Sequence, residues 1–573
     1  MHSSIYHTNQ TIPIQTYQAI VVGSGISGGW AAKELCEKGI KTLVIERGRK
    51  VEHNKDYPTA NLAPWELKHR GSLQAKFKEQ NPLITKSAGF GEDNAHFFIE
   101  DATQPYIQEK PFDWIRGYQL GGKSIIWGRA CQRWSDYEFK SPKDMQYGLD
   151  WPIRYQDVAD WYTHVEKFIG VCGNRDGIEA MPDGHFLPPF DLTIVEQHIK
   201  QVIADDYGRH LVHARWAHIT EPQPIHEAQG RGKCQARNLC MRGCPFGGYF
   251  SSLSSTLPWA ANTGNLSILT DAVVASIIYD ETKQKAIGVK VIDAQTKKTY
   301  AYYADIIFMN ASALNTNLIL LNSTSKRFPN GLGNDNGLLG KYICHHNYRA
   351  SVWGKMEGFE DYYVYGRNPT DSIIANYRNL GKQETNFKGG YTTFLGAYRK
   401  RLDETLTEDT IGVDFKEALE LPGYWHVYAY LQGETIPKKE NHVRLSKDQK
   451  DAYGLPLLIT SVGYDDNDDR LTEDFINETT AMLTKAGVTE IGSIDNHQAP
   501  GLDIHEMGGC RMGHDPNEAI LNQWNQMHHC KNVFVTDGAC MTSTGNQSPS
   551  ILYMALTARA VDYAVKAYQA KNL

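Results

Sequence analysis

The feature that most constrains this chain is a glycine-rich turn near its start, set between an apolar strand and a helix. Gln18-Ala19-Ile20-Val21-Val22 is an apolar run of the kind a strand buried on both faces requires. It enters Gly23-Ser24-Gly25-Ile26-Ser27-Gly28, which fits G-x-G-x-x-G. In that pattern Gly23 makes the tight turn, Gly25 lets backbone approach a pyrophosphate, and Gly28 lets the next helix pack closely on the strand. Ile26, Ser27 and the free N–H groups of the helix start then face two phosphates. Trp30 to Lys38 is predicted as that helix, Gly39 closes it, and Lys41-Thr42-Leu43-Val44-Ile45 forms the second strand, ending at Glu46 and Arg47. A carboxylate about 20 residues past the glycines accepts the ribose hydroxyls of an adenosine and repels a 2′-phosphate, which disfavours NADP. Strand, turn, helix, second strand and terminal acid in register predict a dinucleotide site. The motif alone does not choose between FAD and NAD.

At 573 residues the chain exceeds what one core supports, so two or three domains are expected. Its 41% hydrophobic and 22% charged residues describe a globular protein, and a net charge of −7 with no basic run argues against nucleic acid. Met1 to Thr16 is polar, without a basic region followed by an apolar stretch, and no run of 18 apolar residues occurs. No membrane span and a cytoplasmic location are therefore expected. Ten cysteines scattered over this length suit reduced thiols, except for the cluster Cys234, Cys240 and Cys244.

Residues 51–115 have weak periodicity and read as an excursion over the nucleotide domain. Gly121-Gly122-Lys123-Ser124, followed by Ile125-Ile126-Trp127, suggests either backbone held close to a flat ligand or a tight loop entering a helix. Val158, Trp161, Tyr162, Val165 and Phe168 at helical spacing predict an amphipathic helix within Trp151–Gly170, and a second follows around Ile194–Ile203. Residues 267–310 read as strands, one carrying Val273, and the last leads into Asn310-Ala311-Ser312-Ala313, a second strand-to-helix junction suited to a cofactor. Segments such as Tyr391–Tyr398 and Trp425–Leu431 alternate with period two, which predicts an antiparallel sheet serving as the substrate-binding wall.

The strongest functional signal lies in 501–566: His505-Glu506-Met507-Gly508-Gly509-Cys510-Arg511-Met512-Gly513, then Asp537-Gly538, then Ser548-Pro549-Ser550 at the head of an apolar helix. With the N-terminal turn and the Gly121-Gly122 loop, this resembles the glucose–methanol–choline (GMC) oxidoreductase family over nearly the whole chain. The likeness is strongest to its pyranose oxidase and glycoside 3-dehydrogenase branch. The resemblance implies an α/β fold: a Rossmann-like FAD-binding domain with an antiparallel-sheet substrate-binding domain. The FAD domain is expected from 1–135, 225–344 and 495–573, and the substrate domain from a helical segment, 136–224, and a sheet, 345–494. The implied activity is hydride transfer from an alcohol carbon to the flavin N5, with His505 as the base that removes the hydroxyl proton. Asp537 and Gly538 would lie against the ribityl and pyrophosphate. Pro549 would begin a helix whose N-terminus, with Ser548 and Ser550, faces the pyrimidine end and stabilises an anionic reduced flavin.

Three departures bear on what the resemblance carries over. The family usually places Asn or His before the proline, where this chain has Ser548, so either the serine or neighbouring Asn546 or Gln547 takes that role. Ile126 stands where pyranose oxidases carry a flavin-linking histidine, so FAD is expected to be non-covalent. Cys234-x5-Cys240-x3-Cys244 resembles a segment that holds a 3Fe–4S cluster in membrane-associated relatives, but Gln235 replaces one of a starting cysteine pair. A cluster, a zinc site and a turn of free thiols all stay open, and metal is not assigned. The resulting expectation is FAD-dependent oxidation of a secondary alcohol of a sugar or glycoside, C3 of a glucoside foremost. The electrons pass to an unidentified acceptor, with a small subunit or a cytochrome considered. A redox-neutral lyase or a non-catalytic flavoprotein is the alternative.

Overall fold

The computed structural model describes all residues except 1–4, 10, 13–15, 363–370, 401–410, 414 and 417–422. Half of the N-terminal stretch Met1–Thr16 therefore lies outside the described residues.

The nucleotide domain is built on Thr16–Val22, whose last four residues are all buried. This strand pairs in parallel with Thr42–Ile45 on one side and with Thr299–Met309 on the other. Leu266–Leu269 and Tyr6–His7 extend the sheet in parallel beyond Thr42–Ile45. On the far side Lys285–Asp293 and Ala272–Asp280 add antiparallel strands, and Val533–Val535 pairs in parallel with the end of Thr299–Met309. The strand carrying Val273 begins only at Ala272, because Asp271 takes a positive φ of 53° and breaks the run between Leu266–Leu269 and Ala272–Asp280, which lie in different parts of the sheet.

The helix after the turn spans Ile26–Glu37, four residues earlier than the sequence suggested, so Gly28 and Gly29 lie inside it. Their missing side chains are the reason. A β-carbon at Gly28 would meet the Gly23 carbonyl at 2.0 Å, and one at Gly29 would meet Thr256 Oγ1 at 2.5 Å. The helix buries Trp30, Ala31, Leu35 and Cys36, and its neighbours are the helices Thr256–Asn262 and Ser550–Gln569.

The substrate side carries a six-stranded antiparallel sheet in the order Thr489–Asp495, Ala350–Met356, Tyr424–Gly433, Tyr391–Lys400, Ser372–Ile374, Leu211–His213. In Tyr424–Gly433 alternate residues Trp425, Val427, Ala429 and Leu431 are buried, as period two requires. They pack on Leu471, Phe475, Met482 and Leu483 of a 20-residue helix, Asp466–Lys485, which the sequence reading passed over. The predicted helices appear as Tyr155–Ile169 and Ile194–Tyr207.

A third, five-stranded sheet joins the two halves. It runs Met507–Gly509, Lys341–Cys344, His442–Lys450, Pro456–Ser461, Ile107–Gln108. Residues 51–115 contribute that last short strand and otherwise fold into single helical turns plus the helix Ala75–Gln80. None of the described helices is long and apolar enough to cross a membrane.

Candidate active site

One cavity of about 750 Å³ runs from the glycine turn to His505, toward the upper end of the usual small-molecule range of ~300–1,000 Å³. At its nucleotide end the register of the parallel sheet brings Gly23, one residue past Val22, against Asn310, one past Met309. A β-carbon on Gly23 would sit 2.3 Å from the Asn310 carbonyl, and its φ is 98°. Gly25 is the opposite: a β-carbon there would meet nothing within 4 Å, because it faces the cavity. The helix that follows has no side-chain cap and no acid in its first turn, so its free N–H groups and dipole present an anion site.

Glu46 lines this end and also braces the turn, accepting from the Ser24 N–H at 3.2 Å and Oγ at 2.5 Å and from the Gly48 N–H at 2.9 Å. Arg47 lies beside it with its guanidinium 4.6 Å from the Tyr118 ring centroid. Gly122, Ser124, Val273 and Ala311 form further wall, as do Ile26 and Ser27. Gly121 stands behind them, its N–H donating to Ser24 Oγ at 3.0 Å. Asp537 and Gly538 also line the cavity; the Asp537 carboxylate accepts from Thr316 Oγ1 and the Ala539 N–H. Pro549 caps the helix Ser550–Gln569, and Ser548 and Ser550 reach the wall on either side of it.

The shape and donor set fit FAD. The free helix N-terminus suits a pyrophosphate, Glu46 suits a ribose, and the bare face at Gly25 leaves room for close approach. Asn310 Oδ1, Glu506 Oε1 and Tyr553 OH are buried on the wall with no hydrogen-bond partner among the described residues. Orphaned polar atoms of this kind are rare unless a ligand or water satisfies them.

At the other end His505 is positioned by the strand Met507–Gly509, which is squeezed between Lys341–Cys344 and the helix Ala313–Asn322. The squeeze explains the paired glycines. A β-carbon would lie 2.2 Å from the Tyr342 carbonyl at Gly508 and 2.3 Å from the Asn317 amide at Gly509. The Cys344↔Met507 register, carried two residues further, sets His346 opposite His505. Their Nδ1 atoms are 2.9 Å apart, and His346 Nε2 lies 3.0 Å from the Gly545 carbonyl. The His346 N–H donates to Asp503 Oδ2 at 2.8 Å. His346, Asp503 and His505 form the one trio of His, Cys, Asp or Glu among the described residues whose ligand atoms fall within 4.8 Å of one another.

Burial, with the Lys123 ammonium adding to it, pushes the His505 imidazole down to about 3. It is therefore neutral at ordinary pH and able to accept a proton. Lys123 is itself tied to Glu506 at 3.3 Å. Burial pushes the Asp503 carboxyl up to about 7.

The residues considered for the position before the proline divide. Ser548 lines the cavity and donates to Gln432 Oε1 at 3.3 Å. Asn546 faces away: it is fully buried, its Nδ2 bonded to Glu138 and Glu434 and its Oδ1 accepting from Thr392 Oγ1. Gln547 Nε2 donates to Asn546 Oδ1 and is equally buried. Sequence reasoning missed His346, Asp503 and Gln432. The only available signal was His345-His346 directly after an apolar strand, and its meaning depends on a pairing across more than 150 residues.

Cys234, Cys240 and Cys244 are partly buried beside Met241 and Arg129, which reach the cavity wall. Their three sulfurs do not all lie within 4.8 Å of one another. Burial pushes the Cys234 thiol up to about 11.

Residues 221–347 and 437–557 match the N- and C-terminal parts of the GMC oxidoreductase family. Among curated proteins, the 2-methyl-1,2-propanediol dehydrogenase of Mycolicibacterium austroafricanum is 28% identical, covering 95% of this chain and 94% of its own. The fructose dehydrogenase large subunit of Gluconobacter japonicus is 23% identical over 97% and 98%. Paromamine 6'-oxidase of Streptomyces fradiae is 25% identical over 95% and 91%. Among solved structures, the formate oxidase of Aspergillus oryzae RIB40 shares the fold, with a TM-score of 0.61 at 12% identity, covering 98% of this chain and 100% of that one. A glycine turn and helix end built for a dinucleotide, a neutral histidine at the far end of one continuous cavity, and whole-length likeness to alcohol and sugar oxidoreductases lead to one assignment: the chain belongs to the GMC oxidoreductase family and is an FAD-dependent oxidoreductase of alcohols or sugars.

Proposed function

We propose that the chain oxidises a secondary hydroxyl of a sugar or glycoside, with C3 of a glucoside, giving the 3-keto sugar, as the leading substrate position. The observation that carries this is the part of the wall that the antiparallel sheet and the loop after it add to the cavity lined by His505. Tyr430 and Gln432 of one strand, Phe394 of the next, and Asn496 and Gln498 combine flat apolar rings with carboxamides. Sugar recognition calls for that mixture: rings cover the C–H face, and amides pair with hydroxyls as donor and acceptor at once. Bound FAD supplies the hydride acceptor. The protein's own part is to hold the hydroxyl at His505 Nε2 and take its proton, so that negative charge builds on oxygen as the C–H bond weakens. The fructose and paromamine named for two of the relatives are polyhydroxylated too.

The test is an anaerobic absorbance spectrum of the purified holoprotein before and after adding methyl and aryl glucosides, with product analysis by NMR. Bleaching of the flavin band with one glycoside and recovery of its 3-keto product is the expected result. A band that survives every sugar while the sugars are recovered unchanged overturns the proposal and favours a lyase or a non-catalytic flavoprotein.

A further inference from the structure

The position before Pro549, where the family sets a second hydroxyl-binding residue beside the base, holds a serine engaged with Gln432. The group in contact with His505 comes from elsewhere in the chain, and its bonding settles where the protons are. The Gly545 carbonyl can only accept, so His346 Nε2, 3.0 Å away, carries a hydrogen. A neutral His346 then has a bare Nδ1. The 2.9 Å contact between the two Nδ1 atoms is a hydrogen bond only if His505 is the donor. His505 thus holds its proton on Nδ1, and its Nε2, which bonds to nothing else among the described residues, presents a lone pair.

We infer that His346 is a positioning residue that locks His505 in the Nδ1–H tautomer, so that the nitrogen facing the substrate is always the basic one. In water a free imidazole favours the opposite tautomer, with Nε2 protonated, which would meet a hydroxyl as a donor and could not take its proton. The lock rests on backbone. His346 is fully buried, tied through its ring to Gly545 and through its own N–H to Asp503 Oδ2 at 2.8 Å. When the substrate O–H bond breaks, its proton forms the Nε2–H bond of His505, and the Nδ1–H of the resulting imidazolium continues to donate to His346. The nearby Asp503 carboxyl gives that cation a partner. Burial keeps His346 well below the usual imidazole range, which preserves the bare acceptor.

This inference rests on the reading of His505 as the base, and the test separates the two. Holoprotein labelled with 15N-histidine, with the His505 resonances identified by their loss in His505→Gln, reports the tautomer without turnover. The expected spectrum shows a protonated Nδ1 and an unprotonated Nε2. His346→Leu should move His505 to the Nε2–H form and lower the rate constant of flavin reduction by ~10²-fold with KM little changed, the scale expected for a misdirected base. His346→Asn, whose Oδ1 restores an acceptor near Nδ1, should return both tautomer and rate to within several-fold of the parent. If His346→Leu fails to load FAD, the parent spectrum and the asparagine variant still decide. A parent His505 protonated on Nε2, or a leucine variant with unchanged tautomer and rate, overturns the lock. Full activity in His505→Gln would instead overturn the base while leaving the spectrum to judge the tautomer.

Discussion

Ser548 Oγ donates to Gln432 Oε1 at 3.3 Å and reaches the cavity beside it. A serine in that arrangement holds an amide in place more than it grips a substrate hydroxyl. Ser548→Ala should therefore lower kcat/KM by less than ~10-fold, the scale of one neutral hydrogen bond at ~1 kcal/mol. His505→Ala should lose ~10²- to 10⁴-fold. Steady-state rates of the two variants on the same sugar check the contrast, and an equal loss would mean that Ser548 contacts the reacting centre.

The two ends of the glycine turn should respond differently to a single methyl group. Gly23→Ala drives a β-carbon to 2.3 Å from the Asn310 carbonyl at a φ of 98°, which should destabilise the apoprotein itself by ~2–4 kcal/mol. Gly25→Ala meets no protein atom within 4 Å, so the apoprotein should melt at the parent temperature and yet load little FAD. Melting of the apo forms, set beside flavin content after reconstitution, reads both effects. A Gly25→Ala protein with parental FAD content would show that the pyrophosphate lies elsewhere.

Ile126 is on the cavity wall and offers only hydrocarbon. Acid precipitation should therefore leave all the flavin in the supernatant, with none on the protein in a denaturing gel. Fluorescent protein bands would mean that another wall residue is the attachment point.

His505 lies at about 3, lowered by burial and by Lys123. Protonation inactivates a base, so a lowered value moves the loss of activity to lower pH. The rate constant of flavin reduction should stay free of His505 titration from pH 7.5 to pH 5, where an imidazole at the usual ~6.5 would lose roughly 30-fold. A bend near neutrality would belong to Asp503, which burial sets at about 7, and should vanish in Asp503→Asn. An acidic limb near 6.5 that persists in that variant would contradict the burial of His505.

The nucleotide half was legible because its signals are local. Gly23 to Gly28, Glu46 and Asp537-Gly538 each sit within a few residues of the element that gives them meaning, and a parallel strand buried on both faces announces itself by composition. His505 was legible through Gly508-Gly509, whose close packing leaves a two-residue trace. His346 was not, because its role arises from a register between Lys341–Cys344 and Met507–Gly509, and register is not written in either strand alone. Asn546 misled for a related reason. Its neighbour Ser548 faces the cavity while its own side chain turns to Glu138 and Glu434, a direction set by acids more than 100 residues away.

Those two acids support a last prediction. Asn546 Nδ2 serves Glu138 Oε1 at 3.1 Å and Glu434 Oε1 at 3.4 Å, and both carboxyls are fully enclosed. Burial pushes Glu138 up to about 8 and Glu434 up to about 7. A carboxyl whose value is raised in the fold stabilises most below its unfolded value of ~4.3, and that contribution is lost as pH rises through the folded value. Asn546→Ala removes the donor that both acids share, raises them further, and should cost ~2–4 kcal/mol in all, about one to two per stranded group. The deficit should be smallest at pH 5, where both carboxyls are neutral and can donate their own protons. It should grow toward pH 8.5, where ionising either acid has lost its compensation. Urea unfolding of parent and variant at the two pH values measures it. A deficit of equal size at both would mean that the acids stay protonated throughout and that Asn546 acts only through packing.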